Sequence, residues 1–164
     1  LTLLLNGQLF GDNEMQNEKN ELVFQTCLLL VRYFTNLVEY EKSTGIRIGY
    51  HSRIFDPLLH PQEQFIFLGK SEKLLDGVQS RIEHVVPCAY MIEKLEGLIK
   101  ENKYTEEELA HALQKNWKVA HITKEEADFM DFDLKLKSTM PEDWDFMTGR
   151  PEIRLEAAGI KLIP

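Results

Sequence analysis

The residues best suited to chemistry stand side by side at Glu83 and His84, inside the run from Arg81 to Pro87 (Arg-Ile-Glu-His-Val-Val-Pro). A carboxylate holds hard divalent cations, and a neutral imidazole takes a proton from water near neutral pH. Together they offer two halves of a hydrolytic site. The run is rich in β-branched residues and closed by a proline, which gives no ladder donor and restricts the residue before it, so it reads as a short strand ending at Pro87. Neighbours on a regular strand point to opposite faces. Glu83 and His84 can act on one group only if the strand ends or twists where they stand.

The elements that must position this pair follow it in the chain. Tyr90, Met91, Leu95, Leu98 and Ile99 suit an amphipathic helix to about Asn102, and Thr105 with Glu108 forms a capping box that starts another helix. Residues 117–122 (Trp-Lys-Val-Ala-His-Ile) then read as a second strand. Thr123, followed by Lys124, Glu125 and Glu126, is a helix start with a threonine cap and early acids. On that helix Asp128 and Phe132 are four apart, so Asp128 can face the strands while Phe132 anchors the same side. Glu126 is the competing acid if the register shifts, and Asp131 and Asp133 are expected on a solvated face. His121 can point either way, as a packed histidine or as a site group. Met140-Pro141 ends the helix, and a last short helix is expected at 153–158, stopped by Gly159.

This order, strand with Glu83-His84, helical insertion, strand, then capped helix, resembles the ββα-metal finger of HNH endonucleases. The run from Glu83 to Pro87 matches the family's acid-His-aliphatic-aliphatic-Pro signature, and residues 122–128 look like its strand-to-helix junction. The resemblance spans about residues 81–134. It implies that His84 is the general base, that Glu83 is one metal ligand and Asp128 the other, and that an arginine, Arg154 or Arg150, stabilises the transition state. It further implies Mg2+ or Mn2+ as cofactor, DNA as partner and phosphodiester hydrolysis as the reaction. The family's middle asparagine has candidates in Asn102 and Asn116.

Upstream, residues 13–43 suit a long helix with Leu22, Leu29, Phe34, Leu37, Val23, Val31 and Val38 on its apolar face, ended by Gly45. It is expected to be the spine of an N-terminal lobe or the face of a homodimer. Residues 1–5 are expected as a strand or packing arm, and they lack the basic flank and cleavage site of a secretory signal. Residues 46–55 carry Arg47, Tyr50, His51 and Arg53, either as phosphate contacts or as a solvated loop. Ser71 is expected to cap a short helix to Leu75. The fold class is α+β: a mostly helical protein with a C-terminal ββα-metal finger, divided into an N-terminal helical lobe, 1–77, and an HNH-like domain, 78–164.

Composition narrows the function classes. There are 27 Asp plus Glu against 19 Lys plus Arg, a formal net charge of -8, so bulk charge does not coat nucleic acid and any DNA contact needs a local basic groove. That acidity equally suits a second reading, a non-catalytic binding or inhibitor protein on a nuclease-like frame. Cys27 and Cys88 lie far apart in apolar surroundings, outside any Cys-x-x-Cys pair, which suits buried thiols in a cytoplasmic protein. The strongest apolar run, 27–31, is cut by Arg32, so no membrane span is expected.

Overall fold

A computed structural model describes residues 2–164, with side chains described from residue 11 onward. The first element, α1 (Thr2–Thr44), is longer than expected and includes residues 2–5 of the stretch expected as a strand or packing arm; residue 1 lies outside the described residues. Its buried seam runs through Val23, Cys27, Leu30, Val31, Phe34 and Val38, a three-to-four-residue spacing that keeps one side of the helix inward. Leu22 and Leu29, expected on that seam, face outward at 48% and 64% exposure. With Tyr33 and Tyr40 they leave an apolar outer face, the surface on which the expected homodimer would form. Gly45, at φ 72°, supplies the left-handed stop and donates its N–H to the Glu41 carbonyl. By length and composition alone, an 18-residue window within Gly11–Thr44, with mean hydropathy 1.2 and at most two charged residues, is apolar enough to cross a membrane. Its inner seam packs on the protein core.

Two short 3-10 turns, Ser52–Phe55 and Gln62–Gln64, lead into β1 (Phe67–Ser71). Ser71 therefore ends a strand instead of capping a helix, and its hydroxyl donates to Glu126 at 2.8 Å. Next come β2 (Ser80–His84), α2 (Cys88–Glu101), α3 (Glu106–Asn116), β3 (Val119–Thr123) and α4 (Lys124–Asp128). A π-helical turn, Phe129–Asp133, extends α4, and α5 (Ile153–Ala157) and β4 (Leu162–Ile163) close the chain. The sheet order is β2-β3-β1-β4, with β1 parallel to β3 and the other pairs antiparallel. The molecule is a mixed α+β fold. Its sheet draws β1 from one side of residue 77 and the other strands from the far side.

β3 is buried on both faces, as a strand with apolar layers above and below requires. On one side lies the larger cluster, where α1, α2 and α3 meet Phe55, Trp117 and Val119. On the other, Val85, Ala120, Ile122, Ala127, Met130 and Leu155 form a smaller one. Trp117 and Phe55 pack edge-on with ring centroids 4.9 Å apart, a contact worth about 0.5–1.5 kcal/mol beyond its buried area. Asn116 donates from its side chain to the Phe146 carbonyl at 2.8 Å, pinning the irregular tail, while Asn102 is the left-handed C-cap of α2 at φ 55°. Neither asparagine links β2 to β3; both serve local chain geometry.

The expected capping box at Thr105 is present, and the threonine cap expected at Thr123 is a capping box as well. At α4, Thr123 accepts from the Glu126 N–H and the Glu126 carboxylate accepts from the Thr123 N–H. Glu126 is thus committed to the cap and to Ser71. Substituting Thr123 by Ala removes a buried cap partner, and guanidinium denaturation is expected to show a loss of about 1–2 kcal/mol.

Candidate functional site

β2 stops at His84, three residues before the proline expected to end it. Val85 makes one last bond to the neighbouring strand, its N–H to the Lys118 carbonyl at 2.9 Å, then Val86 leaves the ladder; both valines are fully buried, and Pro87 becomes the N-cap residue of α2. The strand end therefore falls on the acid-histidine pair. Both side chains line one cavity of about 570 Å³. Arg53 and Asp56 from the first 3-10 turn, Arg81 from β2, Cys88 from α2 and Lys137 complete its chemically relevant wall. Three basic side chains against Asp56 and Glu83 make this a locally basic recess on an acidic body.

Arg154 fixes the acid. Its guanidinium is fully buried, and each of its five N–H groups has an acceptor. Nε donates to the Leu136 carbonyl at 2.8 Å, and Nη1 to the His84 carbonyl at 2.9 Å. Both terminal nitrogens reach Glu83 Oε1 at 3.1 Å, and Nη2 also reaches the Lys137 carbonyl at 3.4 Å. No donor remains for a phosphate. Arg154, expected to stabilise a transition state, is by this geometry a positioning residue that holds Glu83 and the backbone of His84. Arg150, the other candidate, is exposed and paired with Glu152 and Glu156.

The helix acid brought to this cluster is Asp131, which the sequence pattern placed on a solvated face. Its side chain is 3% exposed and stands 3.5 Å from Arg154 Nη2 and 3.7 Å from Arg81 Nη1. The π-helical turn is the reason: a five-residue hydrogen bond, Leu134 N–H to the Phe129 carbonyl, widens the helix and shifts its register. Phe132 and Phe129 consequently face solvent, while Met130 and Asp131 turn inward. Asp128 is absent from the cavity wall, and its carboxylate pairs with Lys124 at 2.7 Å. The structure therefore unites Glu83, His84 and Arg154, adds Asp131 and leaves Asp128 outside.

No protein-family model, curated protein or solved structure matches the chain.

Electrostatics separate the roles of the pair. Burial pushes the His84 imidazole below its ordinary value near 6.5, with Asp56 pulling the other way, so the ring is neutral at neutral pH. Burial pushes the Glu83 carboxyl up, opposed by Arg154 and Arg81. The Cys88 thiol is raised to about 12, mainly by burial, which removes thiolate chemistry from the cavity. His121 lies 3.7 Å from Glu63 and packs edge-on against Phe67, apart from the cavity wall. In the 46–55 segment only Arg53 of the basic residues lines the cavity. Arg47 and Tyr50 instead engage Glu96, and His51 accepts from the Arg53 N–H at 3.1 Å.

Two observations bear on a divalent cation. Asp131 Oδ1 is buried without a hydrogen-bond donor, because Arg154 has none left to give. Glu83 Oε2 meets only the half-exposed Arg81, at 3.4 Å. Among the described residues no three His, Cys, Asp or Glu side chains converge as a metal cage. A hydrated magnesium ion needs only one or two carboxylates. Glu83 and Asp131, both hard oxygen donors facing Arg81, fit that demand, whereas Asp128 does not join them.

Replacing Arg154 by Met would leave two buried carboxylates without their guanidinium. Denaturant unfolding is expected to register a loss of about 3–5 kcal/mol. Adding Glu83→Gln and Asp131→Asn to the same chain should recover part of it. Equal destabilisation in the triple variant would contradict the ion-pair account.

Proposed function

We propose that this chain is a divalent-metal-dependent endonuclease of the HNH type that hydrolyses DNA phosphodiester bonds inside the cell. The observation that carries the reading is the strand end at Glu83-His84, which puts a neutral imidazole and a clamped carboxylate on one basic recess. His84 takes a proton from water, and the hydroxide adds to phosphorus. The bond from phosphorus to the leaving oxygen breaks, and that oxygen takes a proton from solvent. Arg53, Arg81 and Lys137 hold the phosphate by charge, which positions a strand without reading its bases. Glu83 and Asp131 would hold Mg2+ or Mn2+, with Arg81 moving aside. An ion held there would supply positive charge against the phosphoryl oxygens.

The roles divide accordingly. His84 acts on the nucleophile, Glu83 is oriented by Arg154, and Arg154 itself stays out of substrate contact. The body carries net charge -8, so binding is confined to the recess and falls steeply with salt.

Plasmid DNA incubated with Mg2+ or Mn2+ should be nicked by the wild type, and His84→Ala should lower the rate by about 10²–10⁴. Asp131→Asn should weaken metal-dependent cleavage more than Asp128→Asn or Glu126→Gln. Activity should fall on the acid side as His84 becomes protonated, with a midpoint below the ordinary histidine value of about 6.5, because burial favours the neutral ring. A folded wild type that leaves DNA and RNA intact with either metal would replace this reading by the acidic binding or inhibitor protein.

A further inference from the structure

The 3-10 turn Gln62–Gln64 belongs to neither the metal cluster nor the basic wall of the recess, yet it reaches His84. The Gln62 side-chain nitrogen donates to the Phe55 carbonyl at 2.7 Å. A carbonyl can only accept, so this contact decides which end of the amide faces which neighbour. The reversed amide would set two acceptor oxygens against each other at that distance. Gln62 Oε1 is therefore turned to His84 Nε2, 3.1 Å away. An amide oxygen is also an acceptor only, so His84 Nε2 must carry the hydrogen. Among the described residues His84 Nδ1 has no hydrogen-bond partner, and it is not among the enclosed polar atoms. Since the ring lines the recess, Nδ1 is its open, unprotonated nitrogen.

We infer that Gln62 is a positioning residue which fixes the His84 proton on Nε2 and presents Nδ1 as the basic atom. Phe55 makes the device rigid, since it is fully buried against Trp117 and cannot shift its carbonyl without disturbing the core. The relay runs from a core aromatic pair, through one carbonyl and one amide, to the imidazole. Nothing in it requires a charge.

The role of Nδ1 as base rests on the nuclease reading, whereas the position of the proton does not. The groups facing or surrounding His84 are Arg53 and Asp56 from the preceding turn, Arg81 and Glu83 from β2, Cys88 from α2, Lys137, and Arg154 from α5. All of them are retained when Gln62 alone is changed.

The test is nitrogen-15 NMR of the full chain, with His84 assigned by its loss in His84→Ala, followed through pH in wild type, Gln62→Glu and Gln62→Met. Wild type should show a neutral ring protonated at Nε2, with that proton shielded from exchange. Gln62→Glu sets a carboxylate oxygen against the Phe55 carbonyl in place of the N–H, so the tether breaks and the Nε2 proton should exchange faster than in wild type. Gln62→Met should lose the exchange protection and lower kcat about tenfold with little change in KM.

A neutral wild-type ring protonated at Nδ1, or wild-type exchange protection of the Nε2 proton in folded Gln62→Met, would overturn the inference. The spectra need no substrate, so the two readings fail separately. Nε2 protonation without cleavage sinks the nuclease, while cleavage with Nδ1 protonation sinks the relay.

Discussion

Everything at the recess depends on the buried guanidinium of Arg154. Taking a charged side chain fully out of water is expensive, and the cost is offset only when its charge and all its donors are met. Here five N–H groups are met by four acceptor atoms, Glu83 Oε1 taking two of the bonds, drawn from β2 and from the chain just past the π-helical turn. Satisfying the arginine thus fixes three things together: the Glu83 carboxylate, the carbonyl of His84 and the path of residues 136–137. The clamp is also why Asp131 is left with an unmet oxygen. A fully used donor set cannot serve a second carboxylate, and the unmet oxygen gives that corner its remaining appetite for positive charge.

The helical body and the sheet divide the remaining work. α1, α2 and α3 bury the larger apolar cluster and hold Phe55 and Trp117, which in turn anchor the turns that form one wall of the recess. β3, enclosed on both faces, is the fixed reference against which β2 is laid in antiparallel register. β2 is an edge strand with few buried side chains of its own, so its end can depart from the pleat at little cost. β2 ends at His84 with one further bond from the Val85 N–H to the Lys118 carbonyl, and at this end the two neighbouring side chains share one cavity.

Features governed by local chemistry were legible in the sequence. Thr105 with Glu108 and Thr123 with Glu126 signal their helix starts because the cap is a hydrogen-bond pattern within four residues. Pro87 marks the change of element only approximately: β2 ends three residues earlier, at His84, and Pro87 opens α2 as its N-cap residue. Features set by long-range packing were not. Leu22 and Leu29 are as apolar as Val23 and Val31, and only the placement of α2 and α3 decides which side is inward. Asp131 took the place expected for Asp128 through a π-helical turn that no residue type announces. Gln62 carries no signal either, since an amide after a proline gains meaning only when a carbonyl and an imidazole are brought to its two ends. Ser71 misled because a serine before polar residues suits a cap, yet its hydroxyl was claimed by Glu126 across the sheet.

The partners in the recess are far apart along the chain: Arg154 and Glu83 are separated by 71 positions, and Gln62 and His84 by 22. No single hairpin or helical pair holds enough of them to form a working half. Because contacts of this reach form only after most chain entropy has been surrendered, the recess belongs to the completed fold. A partly folded chain would present its acids unclamped and its imidazole undirected, so the arrangement of the recess exists only once the molecule is assembled.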